Sequence, residues 1–195
     1  MDIFKEELKD ALCNTDLEFL LYHRYQYDID ERFGDENNDS LLLYSLSDKG
    51  SQSYLFLLEQ GADVSLVNDD GEGSYHAAVY AEDVERMKKL DQYAPSDQLM
   101  NLRSHDGTTP LLLSIFLEHY ESFLWLMDNG ASTILSNQDG VYPAHAVCMI
   151  EDRRFFRYLY QAGVDFNVAT KTGVFPVGIA RENGLTDIVS VLEFK

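Results

Sequence analysis

A repeat of 33 residues organises this 195-residue chain. The sequence GADV at Gly61 recurs in related form as GAST at Gly130 and GVDF at Gly163, each time directly after an apolar run. A second landmark is the residue that precedes a proline or its equivalent, and we take it as the origin of each unit. These origins are Ser40, Gly73, Thr109, Tyr142 and Phe175. Self-similarity at a fixed period of this length is typical of proteins built from stacked supersecondary units.

Local signals predict two short helices in each unit. Thr109 can cap the first helix through its hydroxyl, and Pro110 fits the first helical position because its missing N–H would be unpaired there. The second helix shows apolar residues at helical spacing, as in the run FLWLM that begins at Phe123. Glycine then ends it in the left-handed conformation that residues with a Cβ avoid.

The period, the TPL start at Thr109, the two helices and the Gly-Ala-Asp turn resemble the ankyrin repeat. The resemblance implies an all-α repeat solenoid with helix-turn-helix units and projecting β-hairpin loops. It covers the whole chain as one domain of about five repeats after a divergent N-terminal capping repeat. The predicted bounds are 1–39 for the cap, then 40–72, 73–108, 109–141, 142–174 and a truncated 175–195.

One interval departs from the period. The origins Gly73 and Thr109 are 36 residues apart, and the Gly-Ala-Asp turn is missing between Tyr93 and Asn101. We expect three extra residues in this segment to protrude or to bend the stack.

Composition excludes several classes of partner. The chain has 34 acidic and 15 basic residues, a net charge of −19, which disfavours binding to nucleic acids and anionic membranes. Hydrophobic residues reach 45%, which is enough for a packed core.

There is neither a leader sequence nor an apolar membrane span, so we expect an intracellular, cytoplasmic protein, with delivery into a host cell left open. Cys13 and Cys148 predict two reduced, partly buried thiols rather than a disulfide framework.

No pattern indicates catalysis or metal binding. His76 and His145 occupy the histidine position of the repeat, where the resemblance implies a ring that braces adjoining turns. The segment from Asp69 to Glu72 has too few alternating oxygen ligands for a calcium loop. We therefore expect no enzyme activity, no metal, no cofactor and no small-molecule substrate. An enzyme is the alternative class, and it would require clustered titratable groups with perturbed pKa values in one pocket.

The resemblance instead implies a protein-binding surface on the concave face of the stack. Four, seven and eight residues after each origin, side chains are expected to face or border that groove. The middle repeats carry large apolar residues there, and exposed apolar stripes mark partner surfaces. The predicted contact residues are Tyr80, Leu113, Phe116, Leu117, Met149 and Ile150. The alternative is a register error of one residue, which would make these side chains part of the core.

Acidic residues concentrate at the predicted loop tips. Residues 1–39 alone carry 12 acidic and 4 basic residues. The tips hold the second set of predicted contact residues, namely Asp35, Glu36, Asp69, Asp70 and Glu72. An acidic rim beside an apolar groove predicts an adaptor or inhibitor that binds a protein with a basic surface. Narrower forms are an immunity protein against a nucleic-acid-cleaving toxin and an effector delivered into a host cell. Solubility alone is the competing explanation of the acids.

Overall fold

A computed structural model describes residues 3–34, 37–94 and 97–193. The chain forms two compact units, residues 1–102 and residues 103–195, and each is described by itself. Throughout the described residues the regular structure is helical. The described residues contain no β-strand, and their only strand-like pairing is an isolated bridge between Arg32 and Ser40.

Seven helices lie in the described residues of the first unit. They are α1 (Ile3–Asn14), α2 (Leu17–Tyr22), α3 (Leu41–Ser47), α4 (Ser53–Glu59), α5 (Ser74–Tyr80), α6 (Val84–Tyr93) and α7 (Asp97–Met100). α3 packs against both α4 and α5, which places Leu41, Leu46, Leu57 and Ala78 in a buried core.

The part of the second unit that the structure describes, residues 103–193, contains six helices. They are α8 (Pro110–Phe116), α9 (Tyr120–Asp128), α10 (Pro143–Ala146), α11 (Arg153–Gln161), α12 (Pro176–Glu182) and α13 (Thr186–Glu193). α8 packs on α9 and α10, and α12 packs on α10 and α13. Phe123 of α9 and Phe155 of α11 are fully buried, with ring centroids 4.9 Å apart.

Each predicted origin is the residue directly before a helix, although the capping chemistry differs between them. The hydroxyl oxygens of Ser40 and Thr109 accept the N–H of the residue three positions later, at 3.3 and 3.2 Å. At Gly73 and Tyr142 the backbone N–H instead donates to the Nδ1 atom of the following histidine. Both arrangements satisfy a polar group that the helix start leaves without an intrahelical partner.

The expected β-hairpin loops are present only as tight turns within the described residues. In one of them the N–H of Asn137 donates to the carbonyl of Val141 at 3.1 Å, and Gly140 donates back to Asn137. Successive turns are tied together, since the N–H of Lys171 donates to the carbonyl of Asp139 at 3.0 Å. Each turn is too short to extend a strand ladder, which explains the absence of β-structure there.

The segment with the extra residues does not simply protrude. Residues 97–100 form α7, which packs against α5, and Met100 is buried. Pro95 and Ser96 lie outside the described residues. Burial of one methionine gives this insertion an anchor that its polar composition did not predict.

The glycines predicted to end second helices have left-handed backbone, as the pattern required. The positive φ angles are 83° at Gly61, 90° at Gly130 and 76° at Gly163. No helix in the described ranges is both long and apolar enough to cross a bilayer.

Candidate functional site

A groove of about 380 Å³ lies in the first compact unit, next to the turn between α4 and α5. α3 and α5 form its floor, and the segments around residues 37–39 and 68–72 form its rim. Its lining combines three carboxylates with one aromatic ring: Asn37, Asp39, Leu43, Ser47, Asn68, Asp70, Glu72, Gly73, Ala77 and Tyr80. Among these described residues there is no lysine and no arginine, so the groove is acidic.

Asn68 holds the rim in shape. Its side-chain oxygen accepts the backbone N–H groups of Asp70 and Glu72, at 3.1 and 2.9 Å. Its side-chain nitrogen donates to Asp39 at 3.0 Å, which connects the two rim segments. One buried amide therefore holds the Asp39 carboxylate and the backbone of Asp70 and Glu72.

Tyr80 forms the aromatic wall of the groove at the end of α5. Its hydroxyl donates to Oε1 of Glu72 at 2.7 Å, and its side chain is 39% exposed. This hydrogen bond orients the Glu72 carboxylate beside the ring. Three predicted contact residues, Asp70, Glu72 and Tyr80, are thus brought together in one groove.

The other predicted acids do not line the groove. Asp69 lies at the same turn, where its carboxylate accepts from Asn38 at 3.1 Å and its N–H donates to the carbonyl of Asn37 at 2.9 Å. Asp35 and Glu36 lie outside the described residues.

In the second unit the predicted apolar residues separate into exposed and buried positions. Phe116, Leu117 and Met149 are 38%, 38% and 42% exposed. Leu113 and Ile150 are only 7% and 9% exposed and belong to the core. The position seven residues after the origin is thus the exposed one in both repeats, while the position four residues after it faces inward.

The separation in α8 follows position along the helix. Leu113 lies within α8, whereas Phe116 is its last residue and Leu117 is the C-cap, so the exposed side chains are those at the helix end. α10 is shorter, and its last turn tightens as the N–H groups of Cys148 and Met149 donate to carbonyls three residues earlier. Ile150 is thereby directed inward, while Met149 remains at the surface.

The two repeat histidines hold local structure. His145 is fully buried, its Nδ1 accepts the N–H of Tyr142 at 3.2 Å and its Nε2 lies 3.1 Å from the carbonyl of Val174. This pairing places the proton on Nε2, and burial lowers the pKa of His145. The described residues contain no cluster of histidine, cysteine or acidic side chains with metal-ligand geometry.

The sequence analysis did not predict two structural features. The first is the role of Asn68. A polar residue stands three positions before each turn glycine, at Asn68, Ser104, Asn137 and Thr170. That recurrence is the signal that could have identified it. Arg86 was also missed; it is fully buried and bonded to carbonyls about 40 residues away, which no local pattern reveals.

Comparison with known proteins finds similarity over most of this chain. The chain is similar to a protein from Acanthamoeba polyphaga mimivirus that is named as an ankyrin repeat protein. The two sequences are 22% identical over 167 residues. The match covers 84% of this chain but 22% of the relative, so the chain spans about a fifth of the length of the curated relative. No family model matches the chain.

Proposed function

We propose that the chain is a non-enzymatic protein-interaction module of the ankyrin type. The similarity to an ankyrin repeat protein and the all-helical units support this assignment. The single domain with five repeats and an N-terminal cap is part of the same proposal.

The observation that carries the proposal is the exposure of large apolar side chains at equivalent positions of neighbouring repeats. Phe116 and Met149 both lie seven residues after an origin, and α8 packs on α10, the helix that Met149 closely follows. Exposed apolar surface is unfavourable in water, so burial of the Phe116 ring against a partner would favour binding. Together with Leu117 these residues form the proposed contact surface of the second unit.

The proposed partner is a protein with a basic surface. The net charge of −19 accelerates encounter with such a protein, while the apolar contacts supply affinity. The immunity protein, which depends on charge and size alone, and the delivered effector remain narrower predictions of the same kind.

The test is binding with matched alanine variants. The partner is captured from the source organism on the immobilised full chain, identified by mass spectrometry, purified and titrated calorimetrically. Phe116→Ala is expected to weaken binding by at least about 1 kcal/mol, roughly fivefold, as for an aromatic contact residue.

Ile134→Ala provides the control. Ile134 is 81% exposed in the same unit but lies outside the proposed surface, so its removal is expected to leave affinity unchanged. Circular dichroism confirms that both variants remain folded. Equal affinities for wild type, Phe116→Ala and Ile134→Ala would reject the proposed surface.

A further inference from the structure

We propose that the outer side of α1 and α2 binds a basic amphipathic helix of a protein partner. This α1–α2 face consists of the side chains on the two helices, and on the turn after them, that do not pack into the first unit. It belongs to the first unit, whereas Phe116 and its proposed contact surface belong to the second. Its exposed apolar members are Ile3, Leu17, Leu21, Tyr22 and Tyr25, and its exposed acidic members are Glu6, Glu7, Asp10, Asp16 and Glu18.

Large apolar side chains on the α1–α2 face are left in water. Tyr25 is 99% exposed and Tyr22 is 80% exposed, and the side chains of Ile3 and Leu21 are more than half exposed. Leu17 precedes Leu21 by about one helical turn, so these two leucines lie on one side of α2. The opposite sides of both helices already bury other leucines in the core. Exposed apolar patches of this kind mark sites of interaction.

A groove of about 290 Å³ on this face joins the acidic and the apolar side chains. Residues of α1, α2 and the turn between them line it: Glu7, Asp10, Ala11, Asn14, Asp16 and Phe19. The Phe19 ring lies 4.4 Å from the His23 ring, and the His23 ring lies 4.8 Å from the Tyr22 ring, measured between centroids. A row of rings therefore leads from the acidic groove to the exposed end of α2.

The basic side chains of α1 are engaged on the other side of that helix. Lys5 pairs with Glu31 at 2.9 Å and donates to the carbonyl of Arg32. The ammonium of Lys9 lies 4.8 Å from the centroid of the Phe33 ring. Among the described residues no basic side chain pairs with the acidic members of the α1–α2 face. The face therefore carries negative charge without a local counter-charge.

These two properties together specify the occupant. Both walls of the groove are helical, so the side-chain ridges of a third helix can pack between them. A helix with apolar residues at helical spacing would cover the leucine and tyrosine side chains, while lysines or arginines along its edges would reach the carboxylates. An acidic helix or an anionic membrane would be repelled. A second copy of this chain would bring another net charge of −19, so we assign the face to a different protein.

The experiment titrates the full-length chain, labelled with ¹⁵N, with three synthetic peptides in about 150 mM NaCl, where distant charges are screened. The first peptide has about 18 residues, with leucines on one helical face and lysines on the other. It is expected to shift the amide signals of residues 3–25 with a saturable curve. Circular dichroism of the mixture is expected to show a gain in helix, because so short a helix is marginal in water when isolated.

The other two peptides separate the contributions of pattern and charge. One has the same composition, but its leucines are spread around the helix, and it is expected to bind at least about tenfold more weakly because it cannot bury them together. The other carries glutamate in place of every lysine and is expected not to bind, because the face would repel it.

Matched variants test the acidic part of the face. Glu7→Gln combined with Asp10→Asn is expected to raise the Kd of the lysine peptide about fivefold, in line with solvent-accessible ion pairs. Glu59→Gln combined with Glu182→Gln removes the same two charges from exposed positions on α4 and α12. This control pair is expected to leave the Kd nearly unchanged.

A second set of variants tests the apolar part. Leu21→Ala combined with Tyr22→Ala is expected to raise the Kd at least about tenfold, as for contact residues of a binding surface. Ile134→Ala and Phe116→Ala remove exposed apolar side chains of the second unit and are expected to leave the Kd unchanged. Urea unfolding shows that each variant remains folded.

Several outcomes would overturn the proposal. Equal binding of the rearranged peptide would reject an amphipathic helix, and binding of the glutamate peptide would reject charge complementarity. Equal effects of the two charge-removing pairs would place the site elsewhere. Dimerisation in sedimentation velocity that Leu21→Ala with Tyr22→Ala abolishes would assign the face to a second copy. These titrations use no partner from the source organism, so their failure is distinguishable from failure of the Phe116→Ala test under the proposed function.

Discussion

At the residue scale, glycines allow successive turns to approach one another closely. Gly140 has φ at +79°, and a Cβ placed there would lie 2.7 Å from the backbone nitrogen of Lys171. Gly173 occupies the equivalent turn position with φ at +82°, but no atom lies within 4 Å of its Cβ direction. The two sites therefore share the conformational requirement and differ in the space available.

This pair predicts two different costs for the same substitution. Gly173→Ala is expected to lower the free energy of unfolding by about 1–2 kcal/mol through left-handed strain. Gly140→Ala adds a clash with backbone that cannot rotate away, so we expect a further loss of about 1–3 kcal/mol. Urea unfolding of both variants measures the difference. Equal losses would show that the turn at Lys171 moves aside without cost.

At the element scale, Arg86 joins α6 to the end of α3. Its guanidinium donates to the carbonyls of Ser45 at 2.7 Å, Leu46 at 2.9 Å and Ser51 at 2.8 Å, and its side chain is completely buried. Buried carbonyls that lose their donors pay the full cost of desolvation. The arginine thus satisfies the carbonyls that α3 leaves open at its C-terminal end.

Replacement of Arg86 is therefore expected to be costly. Arg86→Met preserves much of the apolar stem but removes all donors, and we expect a loss of at least about 3 kcal/mol in the free energy of unfolding. Arg157→Met on α11 is the control, because Arg157 is exposed. Chemical unfolding compares them, and similar small losses in both variants would contradict a structural role for Arg86.

His145 connects the start of α10 to the turn that precedes α12, and it predicts a pH dependence. Burial lowers its pKa below the value of about 6.5 expected in the unfolded chain. Between these two values the unfolded state binds more protons, so the stabilisation present above pH 6.5 is lost as the pH falls towards the folded pKa. We expect the free energy of unfolding to decrease from pH 7.5 to 5.5.

The variant His145→Gln is expected to have a flatter pH profile over that interval, since it lacks the titrating ring. His105→Gln alters an exposed histidine and is expected to retain the wild-type slope. Urea titrations at several pH values provide the measurement. Identical slopes for all three proteins would assign the pH dependence to other groups.

The elements also show what sequence could and could not reveal. Thr109 and Pro110 predict a helix start, because capping acts within three residues. In the structure α8 begins at Pro110. The separation of buried Leu113 from exposed Phe116 was not resolved, because both are apolar and only packing distinguishes them. Arg86 was unpredictable for a related reason, since its partners are distant in sequence and close only in the fold.

At the scale of the whole molecule, charge is the dominant property. The 34 acidic residues outnumber the 15 basic residues, so most acids lack a basic residue to offset them. Ion pairs such as that between Lys5 and Glu31, at 2.9 Å, offset part of the repulsion. Exposed pairs contribute about 0–1 kcal/mol each, which leaves net repulsion as the larger effect.

The chain is therefore expected to become more stable as salt increases. Raising NaCl from 10 to 150 mM shortens the screening length from about 30 to about 8 Å, which weakens repulsion between distant acids more than attraction within close pairs. Differential scanning calorimetry at neutral pH should show Tm rising over this range of NaCl. An uncharged osmolyte used in place of the salt, at equal osmolality, should leave Tm near its low-salt value. A falling Tm would mean that the ion pairs outweigh the excess negative charge, and the acids would then have to be regarded as paired structural residues rather than as a surface that attracts a basic partner.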